Sequence, residues 1–348
     1  MFGVNFTRTN FYDSEINPPL EKFWEYDADA GFSKYSACIA DSILFLPTLY
    51  GELHLVNIYN GKKIAKQKFA GPISGSIALD NNEVCLTFSN SDISLLCYEL
   101  IAGKKKWDLK IGEIETAPLL FEKKLFVSTL DGKLFSIDKN KGIVNWSFSP
   151  ENKIPKPSYS SPATNGQVVL YGCDDGYLYA VDFDNGKLKW KFKTNASIKS
   201  TPSINEQAVY FGSTDGNFYC VDLESGELRW KHNFECPIYN SQALSDSFIY
   251  VNTQDGFLKC LNIDSGKEIW KFYAGSLLSF SPLLIKNFVI VGCYNKNIYL
   301  IDLKTGNLIW SYQVNGRIKS SPIMWKKFLI VMTDNQTVYC FKPKNDNP

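Results

Sequence analysis

The stretch Asp175-Gly-Tyr-Leu-Tyr-Ala-Val-Asp-Phe-Asp-Asn-Gly-Lys-Leu-Lys-Trp190 has three gap-free counterparts further along the chain. They span residues 215–230, 255–270 and 295–310, so the period is forty residues. A fixed period in this range is the sequence signature of solenoids, propellers and related arrays. The sequence therefore predicts a repeat architecture, in which each unit buries its apolar surface against its neighbours.

A tryptophan, with a glycine four residues before it, marks this series over most of the chain. Trp146 and Trp107 continue the series backwards, with spacings of 44 and 39 residues. The glycines are Gly103, Gly142, Gly186, Gly226, Gly266 and Gly306, and Gly61 adds a unit in which Ala65 stands at the tryptophan position. A second mark, most often a small residue and proline, precedes the units at Ala117-Pro118, Ser161-Pro162, Thr201-Pro202, Ser241-Gln242, Ser281-Pro282 and Ser321-Pro322, and more weakly at Ser36-Ala37 and Ser76-Ile77. Together the marks predict eight units.

Each unit contains four short strand signals. In residues 201–233 these signals lie at 202–205, 208–212, 217–223 and 227–232. Asp215-Gly216 separates the middle two, and an Asp-Gly pair supplies the positive φ angles of a tight hairpin. Four antiparallel strands in each repeat are typical of a propeller blade. We therefore expect residues 1–348 to form one all-β domain, an eight-bladed β-propeller, with blades at 36–69, 76–110, 117–149, 161–193, 201–233, 241–273, 281–313 and 321–341 plus 21–26.

The last unit, residues 321–341, has no fourth strand signal of its own. The segment Glu21-Lys-Phe-Trp24-Glu-Tyr26 carries a tryptophan as the fourth strands do, although it lies near the N-terminus. We expect this segment to complete the last blade, because pairing the two chain ends removes an open sheet edge that would promote aggregation.

The recurring tryptophans have a structural explanation. A large ring on a fourth strand can pack on the next blade and bury on the order of 200 Å². At about 25 cal/mol per Å², each contributes several kcal/mol of stabilisation. We assign this docking role, and no ligand, to Trp24, Trp107, Trp146, Trp190, Trp230, Trp270 and Trp310. Ala65 predicts a weaker junction after the first blade.

Composition argues against several classes of protein and site. The chain has 37 Lys+Arg against 36 Asp+Glu, whereas dedicated nucleic-acid binders have a basic excess. It has no run of about eighteen apolar residues that would span a membrane. With two histidines, a multi-histidine metal site is not expected, and the Asp-Gly turns lack the ligand spacing of a calcium loop. The nine cysteines, none adjacent in sequence, are interpreted as buried reduced thiols.

The aliphatic–Asp–x–x–x–Gly–x–x–x–Trp unit, seen at Val181-Asp182, Val221-Asp222 and Ile301-Asp302, resembles the tryptophan-docking repeat of pyrroloquinoline-quinone-type eight-bladed propellers. Ile263-Asp264 carries a shifted version, and the resemblance extends from about Trp24 to Phe341. That family contains quinone-dependent alcohol and sugar dehydrogenases. It also contains non-catalytic members, such as the propeller lipoprotein of the outer-membrane barrel-assembly machinery, whose N-terminal segment residues 2–10 resemble.

The dehydrogenases of this family carry an adjacent Cys-Cys pair over the quinone and long insertions between blades. No two cysteines are adjacent in this chain, and only residues 149–158 form a slightly longer connection. No convergent carboxylates and amides are evident for a calcium-bound quinone. We therefore expect a protein without enzymatic activity, cofactor or metal, and a quinone-dependent dehydrogenase is the least favoured reading.

The segments that join blades rim one end of a propeller's channel, so the repeat identifies equivalent rim positions. These are Lys34, Ser74, Glu115, Tyr159, Lys199, Tyr239, Ser279 and Lys319, with Arg317 close to the last. Three lysines against one glutamate predict a positive rim, which would attract a small anionic or quinone-like ligand or an acidic partner loop. The alternative is that these are solvated charges with no ligand.

An apolar loop is the second candidate site. Leu277, Leu278 and Phe280 lie between two predicted blades, where they would form a partner surface or, alternatively, fill the channel or pack beneath other loops. The preferred function is a non-catalytic scaffold that binds a protein partner through a loop-rich face. The resemblance predicts a periplasmic or outer-membrane-associated protein. The free thiols favour the cytoplasm, as does the absence of a leader pattern in residues 1–10 if the chain starts at Met1; the alternative is that a leader has been removed.

Overall fold

The structure, a computed structural model, describes residues 5–33, 37–151 and 154–345, except for the side chains of Ser279 and Phe280. Every regular element in these residues is a β-strand. The first strands are β1 (Phe11–Tyr12), β2 (Leu20–Asp27), β3 (Cys38–Ala40), β4 (Ile43–Pro47), β5 (Glu52–Asn57), β6 (Lys63–Lys68), β7 (Ala78–Asp80), β8 (Glu83–Thr87), β9 (Leu95–Glu99), β10 (Lys104–Leu109), β11 (Leu119–Phe121), β12 (Lys124–Ser128), β13 (Leu134–Asp138), β14 (Ile143–Phe148), β15 (Ala163–Thr164) and β16 (Val168–Gly172). The remaining strands are β17 (Tyr177–Asp182), β18 (Leu188–Lys193), β19 (Ser203–Asn205), β20 (Ala208–Gly212), β21 (Asn217–Asp222), β22 (Leu228–Asn233), β23 (Ala243–Leu244), β24 (Phe248–Asn252), β25 (Phe257–Asn262), β26 (Glu268–Tyr273), β27 (Leu278–Ile285), β28 (Phe288–Cys293), β29 (Asn297–Asp302), β30 (Leu308–Gln313), β31 (Ile323–Trp325), β32 (Phe328–Met332) and β33 (Thr337–Pro343).

The strands form seven antiparallel sheets of four sequential strands and an eighth of three, β31–β33, and the N-terminal segment adds one strand to each of the last two sheets. The first six sheets are β3–β6, β7–β10, β11–β14, β15–β18, β19–β22 and β23–β26. The seventh is β27–β30, to which β1 adds as a fifth, parallel strand through Phe11 beside Leu284. The predicted fold class, an eight-bladed β-propeller of four-stranded antiparallel blades, is confirmed.

The eighth sheet has the order β2-β33-β32-β31, so its outer strand comes from the N-terminus. Trp24 lies opposite Cys340 and Tyr26 opposite Val338. This pairing confirms that the segment around Trp24 supplies the missing fourth strand. Since β2 covers the edge of β33, the last sheet has four strands, as the first six sheets do.

The Asp-Gly hairpins are built by local hydrogen bonds. The Asp175 carboxylate accepts from the Tyr177 N–H at 2.9 Å and from the Tyr179 hydroxyl at 2.6 Å. Asp215 makes the same two contacts with Asn217 and Tyr219. Such side-chain-to-backbone bonds are the turn chemistry of aspartate, so they account for the recurring Asp without a bound cation.

A second recurring turn joins the third and fourth strands of several blades. Asp182 Oδ1 accepts the N–H groups of Asp184 and Asn185, and Gly186 follows with a φ of +70°. A β-bulge then shifts the register between Ala180 and Val181 and sets Trp190 opposite Ala180. The aliphatic–Asp–x–x–x–Gly–x–x–x–Trp spacing thus encodes one turn and one bulge that aim the ring.

The described chain divides into two compact units by its contacts. One contains the residues up to Thr9 and Ala70–Ser241, and the other contains Asn10–Phe69 and the residues from Gln242 onward. In the first unit, Trp190 lies in a buried cluster with Val209 and Phe211. In the second, Trp24 packs with buried residues of the first and last sheets, such as Leu44 and Ile330. Among the described residues there is no helix of the length and apolarity needed to cross a membrane.

Candidate interaction surface

The predicted docking tryptophans use both their ring faces and their indole N–H groups within the protein. In the first unit, Trp107 Nε1 donates to the Lys139 carbonyl at 2.8 Å, and Trp190 Nε1 donates to the Leu223 carbonyl at 2.9 Å. The bonds of Trp146 and, in the second unit, of Trp24 and Trp270 follow the same pattern at 2.8–3.2 Å. The indole N–H groups of these five tryptophans are therefore satisfied within the protein.

Each of these rings covers the conserved glycine of the following blade. A Cβ atom at Gly226 would lie 2.7 Å from the Trp190 ring, and one at Gly142 would lie 2.5 Å from the Trp107 ring. Real Cβ contacts are never that short, so only glycine fits beneath the tryptophan. The Gly and the Trp of one repeat therefore belong to different junctions. The Gly lies beneath the Trp of the preceding blade, and the Trp covers the Gly of the following blade.

Residues 5–9 are a structural element of the first unit that the sequence did not predict. The carbonyls of Phe6 and Thr7 accept hydrogen bonds from the N–H groups of Thr164 and Ile204, at 3.0 and 2.9 Å. The segment therefore binds the first strands of two neighbouring blades. Its residues carry no repeat pattern, and this is why sequence comparison within the chain did not find the contact.

Arg8 is the centre of that segment. Its side chain is 1% exposed, its Nε donates to the Pro162 carbonyl at 3.0 Å, and its guanidinium also reaches the carbonyls of Ala117 and Pro118. These carbonyls belong to the small-residue–proline marks that precede the blades. A planar guanidinium with five N–H donors suits several carbonyls at once.

In the second unit, residues from Asn10 onward make equivalent contacts. The Asn10 side chain donates to the Gln242 carbonyl at 2.7 Å, and its own carbonyl accepts from the Leu284 N–H at 2.9 Å. Glu15 pairs with Lys286 at 2.6 Å on the surface. The N-terminal segment thus forms hydrogen bonds with the first strands of several blades.

A loop face is formed where each inter-blade segment contacts the hairpin turn of the blade that it enters. The Asp174 N–H donates to the Pro157 carbonyl at 2.8 Å, and the Thr214 N–H donates to the Ser197 carbonyl at 2.9 Å. Tyr294 bonds the Leu277 carbonyl in the same way at 3.0 Å. We use "loop face" for these inter-blade segments and hairpin turns, in each unit separately.

In the first unit, the predicted rim residue Lys199 is not an isolated charge. Its Nζ lies 3.5 Å from Asp174 Oδ2 and 4.9 Å from the centre of the Tyr159 ring, another predicted rim residue. Burial raises the pKa of Asp174, and the charge of Lys199 opposes that shift. Glu115 is half-buried and Tyr239 is exposed.

The predicted rim cations of the second unit also have an acidic partner. Arg317 Nε lies 2.7 Å from Asp334 Oδ2, and Lys319 Nζ lies 3.7 Å from the same oxygen. Burial disfavours the charged form of Asp334, but the hydrogen bonds and charge of Arg317 hold its pKa below the ordinary value. Asp174 and Asp334 occupy the same repeat position, and together they reduce the positive charge available to an anion. The sequence pointed to the cations and missed these two carboxylates; Lys34 lies outside the described residues.

The apolar loop of the second unit is smaller at the surface than the sequence indicated. Leu278 is 4% exposed and packs in a buried cluster with Tyr250 and Leu258, because β27 begins at this residue and turns it inward. The expectation that Leu278 faces a partner is therefore corrected. The Phe280 side chain lies outside the described part, and Leu277 remains at the surface with 38% of its area exposed.

Four residues before Leu277, the second unit has an aromatic pair that the sequence did not single out as a site. Tyr273, 59% exposed, ends β26, and its ring centre lies 4.9 Å from that of Phe257, which follows the Asp255-Gly256 turn. Lys271 Nζ lies 5.3 Å from the Phe257 ring. We call Phe257, Tyr273 and Leu277 the loop patch.

The backbone beneath the loop patch is held by hydrogen bonds. Asn295 Nδ2 and the Tyr299 hydroxyl both donate to the Ala274 carbonyl, at 2.8 and 3.1 Å. The Cys293 thiol lies 3.2 Å from the Leu277 carbonyl. The patch is therefore presented by an ordered loop, which lowers the entropy that a partner must remove on binding.

A surface groove and the placement of the metal-ligating side chains give no further candidate site in the described residues. A groove of about 580 Å³ in the first unit is lined by Asn165, Gln167, Lys189, Glu206, Asp222 and Arg229, among others. Its arginine is already paired with Asp222 at 2.6 Å. Over the described residues, no three His, Cys, Asp or Glu side chains are grouped as metal ligands.

Comparison with known proteins places this architecture in a family. The family described as outer membrane protein assembly factor BamB matches residues 50–272 and 255–347. The curated BamB of Shewanella oneidensis is 23% identical over 199 residues, covering 51% of this chain and 47% of the relative. That of Moranella endobia is 20% identical over 190 residues, covering 49% and 48%. The chain thus spans about half the length of the curated relatives it matches.

Solved structures share the fold at low sequence identity. BamB from Moraxella catarrhalis has a TM-score of 0.80 and 16% identity, covering 93% of this chain and all of that one. A europium-containing methanol dehydrogenase gives 0.82 and 13%, with coverages of 98% and 97%. Quinohemoprotein alcohol dehydrogenase from Comamonas testosteroni gives 0.85 and 13%, with coverages of 100% and 81%. These likenesses establish the fold and not the activity.

The expected resemblance to PQQ-like propellers, and to their envelope members in particular, is confirmed by the family match. That match takes in most of the repeats recognised in the sequence, from the first blade to the last. The chain belongs to the family of the outer membrane protein assembly factor BamB.

Proposed function

We propose that this protein is a non-catalytic scaffold of outer-membrane protein assembly, located in the cell envelope, which binds a protein partner through its loop face. The loop patch of the second unit is the surface that we assign to the partner. Family membership supports the process, and the exposed apolar side chains on an ordered loop support the mode of action. The proposal does not depend on any cofactor.

The loop patch is the observation that carries this proposal. Tyr273 and Leu277 are exposed and Phe257 is half-buried. Tyrosine is one of the residues enriched in protein-binding hot spots. Lys271 beside Phe257 adds a positive charge at the edge of the patch. We therefore expect a partner segment with apolar side chains flanked by carboxylates.

The partner proposal is tested by charge substitution. The Tyr273→Asp, Leu277→Asp double variant should fold normally, since both side chains are exposed, but it should lose the partner. The immobilised protein is incubated with detergent-solubilised envelope from its source organism, and captured proteins are quantified by mass spectrometry. Wild-type protein should capture a component of the barrel-assembly machinery, and the double variant should capture at least tenfold less.

The matched control is the Leu308→Asp, Ile309→Asp variant. These side chains have similar exposure, 47% and 44%, and start β30 at the opposite end of the blade from the hairpin turn. This control should capture the partner as well as wild type does. Equal capture by all three proteins would remove the loop patch from the proposal, and no capture of any assembly component by wild type would remove the function.

The non-catalytic part has its own test. Purified protein is incubated with pyrroloquinoline quinone and Ca²⁺, then assayed for dye reduction with alcohols and sugars. We expect no reduction above the protein-free background, because the sequence lacks the adjacent cysteines found over the quinone in related dehydrogenases. Substrate-dependent dye reduction would contradict the scaffold proposal.

A further inference from the structure

Blade two contains a pair of cysteines that the repeat does not explain. Cys85 on β8 and Cys97 on β9 are direct cross-strand partners in the antiparallel register. Both are buried in one cluster, with Ala78 on one side and Trp107 on the other, and both are free thiols. Directly opposed residues of an antiparallel pair point to the same face of the sheet.

The equivalent pairs in other blades show how unusual this arrangement is. The third strands of blades five, six and eight also carry a cysteine at the Cys97 position, at Cys220, Cys260 and Cys340. Their cross-strand partners are Tyr210, Tyr250 and Ile330. Among the strand pairings of the described residues, only blade two places cysteine opposite cysteine.

The spacing of such a pair suits a covalent bond. Opposed residues in antiparallel sheets have Cα atoms about 4.5–5.5 Å apart. Disulfides accept Cα separations of about 4.4–6.8 Å. A small closure of the side chains is therefore sufficient, with no change of register.

The two thiols differ in acidity because they interact with each other. Hydrogen bonding between them raises the pKa of Cys85 and lowers that of Cys97, and burial raises both. Lys139, which follows β13 in the next blade, lowers the pKa of both thiols by its charge, and Glu83, with which it pairs, raises both. Cys97 is thus the better nucleophile of the pair.

We propose that Cys85 and Cys97 form a reversible cross-strand disulfide that staples blade two when the protein folds in the presence of a disulfide oxidant. The Cys97 thiolate attacks one sulfur of the oxidant and releases one thiol, which leaves a mixed disulfide. The Cys85 sulfur, after losing its proton to water, then attacks Cys97 and releases the second thiol. Two protein thiols are oxidised, and one oxidant disulfide is reduced to two thiols.

The burial of both thiols makes folding the step at which the bond forms. A folded blade two excludes a bulky oxidant from Cys85 and Cys97, so the oxidant reaches Cys97 after β8 and β9 have paired and before the rest of the blade covers the two thiols. The disulfide joins two strands of one blade. In the strand pairings of the described residues no other cysteine has a cysteine opposite it, so we expect the other cysteines to stay reduced. This inference concerns the chain's own chemistry and does not rest on the proposed function.

The test maps the disulfides after oxidative refolding. Reduced protein is unfolded in guanidinium and refolded in a glutathione redox buffer. Free thiols are then blocked with a maleimide under denaturing conditions. Cleavage before Asp80, Asp92 and Asp108 separates the two cysteines into peptides 80–91 and 92–107. We expect these two peptides to be joined, with two hydrogen atoms lost, and the other seven cysteines to be blocked.

Variants and a stability readout complete the experiment. Cys85→Ala and Cys97→Ala should each leave the remaining partner blocked by maleimide, while Cys220→Ala, the same repeat position opposite Tyr210, should retain the joined peptides. Oxidised wild type should unfold at a higher denaturant concentration than reduced wild type, and Cys97→Ala should show no such difference. If refolding is inefficient, the same map is made on protein exported to the periplasm of a bacterial host. Blocked Cys85 and Cys97 in folded protein from either route would overturn the proposal, and so would a disulfide that joins either one to another cysteine.

Discussion

At the residue scale, the repeat places a tryptophan ring of one blade over a glycine of the next blade. The tryptophan ring of a fourth strand packs so closely on the backbone of the next blade that a Cβ atom there would clash with it. The residue beneath the ring must therefore be glycine. Gly226 also has a φ of +73°, a left-handed conformation that costs other residues energy. The left-handed backbone and the contact with the Trp190 ring therefore each disfavour a Cβ atom at position 226.

These two constraints can be separated by substitution. Gly226→Ala should lower the free energy of unfolding by about 2–5 kcal/mol, the sum of left-handed strain and overpacking against Trp190. Gly103→Ala is the matched control, because Gly103 has a φ of +63° but a Cβ there would meet only the Tyr98 hydroxyl at 3.7 Å. It should cost about 1–2 kcal/mol. Chemical denaturation measures both, and equal losses would contradict the ring-contact explanation.

Arg8 makes a second prediction at this scale. Arg8→Met removes the donors of three buried carbonyls and should lower the free energy of unfolding by about 2 kcal/mol or more. Arg8→Lys keeps the charge but not the planar fork, so it should recover only part of the loss. Urea unfolding followed by intrinsic fluorescence distinguishes the three proteins. A Met variant as stable as wild type would show that the carbonyls find other partners.

At the element scale, the N-terminal strand is held by side chains as well as by backbone pairing. The Tyr26 hydroxyl on β2 lies 2.8 Å from Nδ1 of the buried His54 on β5, and His54 Nε2 lies 3.1 Å from Glu52. A neutral imidazole with its proton on Nε2 satisfies both contacts, accepting from the tyrosine and donating to the carboxylate. The strand of the last blade is thereby tied to the first blade.

This contact predicts a pH dependence. Burial lowers the pKa of His54, the lysines at 63 and 66 add to that effect, and Glu52 opposes it. The unfolded chain therefore binds the proton at a higher pH than the folded chain. The stabilisation is fully present above the unfolded pKa of about 6.5 and is lost as the pH falls through the folded value.

We expect the midpoint of thermal unfolding to decrease between pH 7 and pH 5 in wild type, and to decrease less in His54→Gln. His232→Gln, which alters the other histidine of the chain, should retain the wild-type dependence. Differential scanning fluorimetry across this range provides the measurement. A His54→Gln profile parallel to that of wild type would assign the acid sensitivity to other groups.

At the scale of the whole molecule, the N-terminus has two separable tasks. Residues 5–16 bind first strands, whereas β2 completes the last sheet at its outer edge. The second task covers the longer edge, because β2 pairs with β33 from Leu20 to Asp27, whereas β1 pairs with β27 only through Phe11 and Tyr12. An exposed edge of that kind pairs with other chains.

Two truncations distinguish these tasks. A chain that lacks residues 1–27 should self-associate, because β33 then has an open edge, and light scattering after size exclusion should show oligomers. A chain that lacks residues 1–16 retains β2 and should remain monomeric, although less stable. Self-association of both truncated chains to the same degree would indicate that the N-terminal segment protects the molecule by another route.

Local information in the sequence was sufficient for much of this architecture. The number of blades, the hairpins and the role of Trp24 follow from spacing, because each turn uses the hydrogen bonds of a nearby Asp and Gly. The tryptophans and glycines recur in most of the repeats, so a common structural role could be inferred from the period alone. These interactions are short-range within a repeat, or they repeat identically from one unit to the next.

Contacts that join non-equivalent parts of the chain required coordinates. The partners of Arg8, the burial of Leu278 and the pairing of Lys199 with Asp174 and of Arg317 with Asp334 leave no periodic trace in the sequence. The opposition of Cys85 and Cys97 depends on the register of two strands, which a sequence pattern locates only within a residue or so, and a slip of one residue would turn one thiol to the other face. The repeat pattern specifies the residues that the blades have in common. The loop patch and the Cys85–Cys97 pair depend on residues that differ between blades, so the repeat pattern does not predict them.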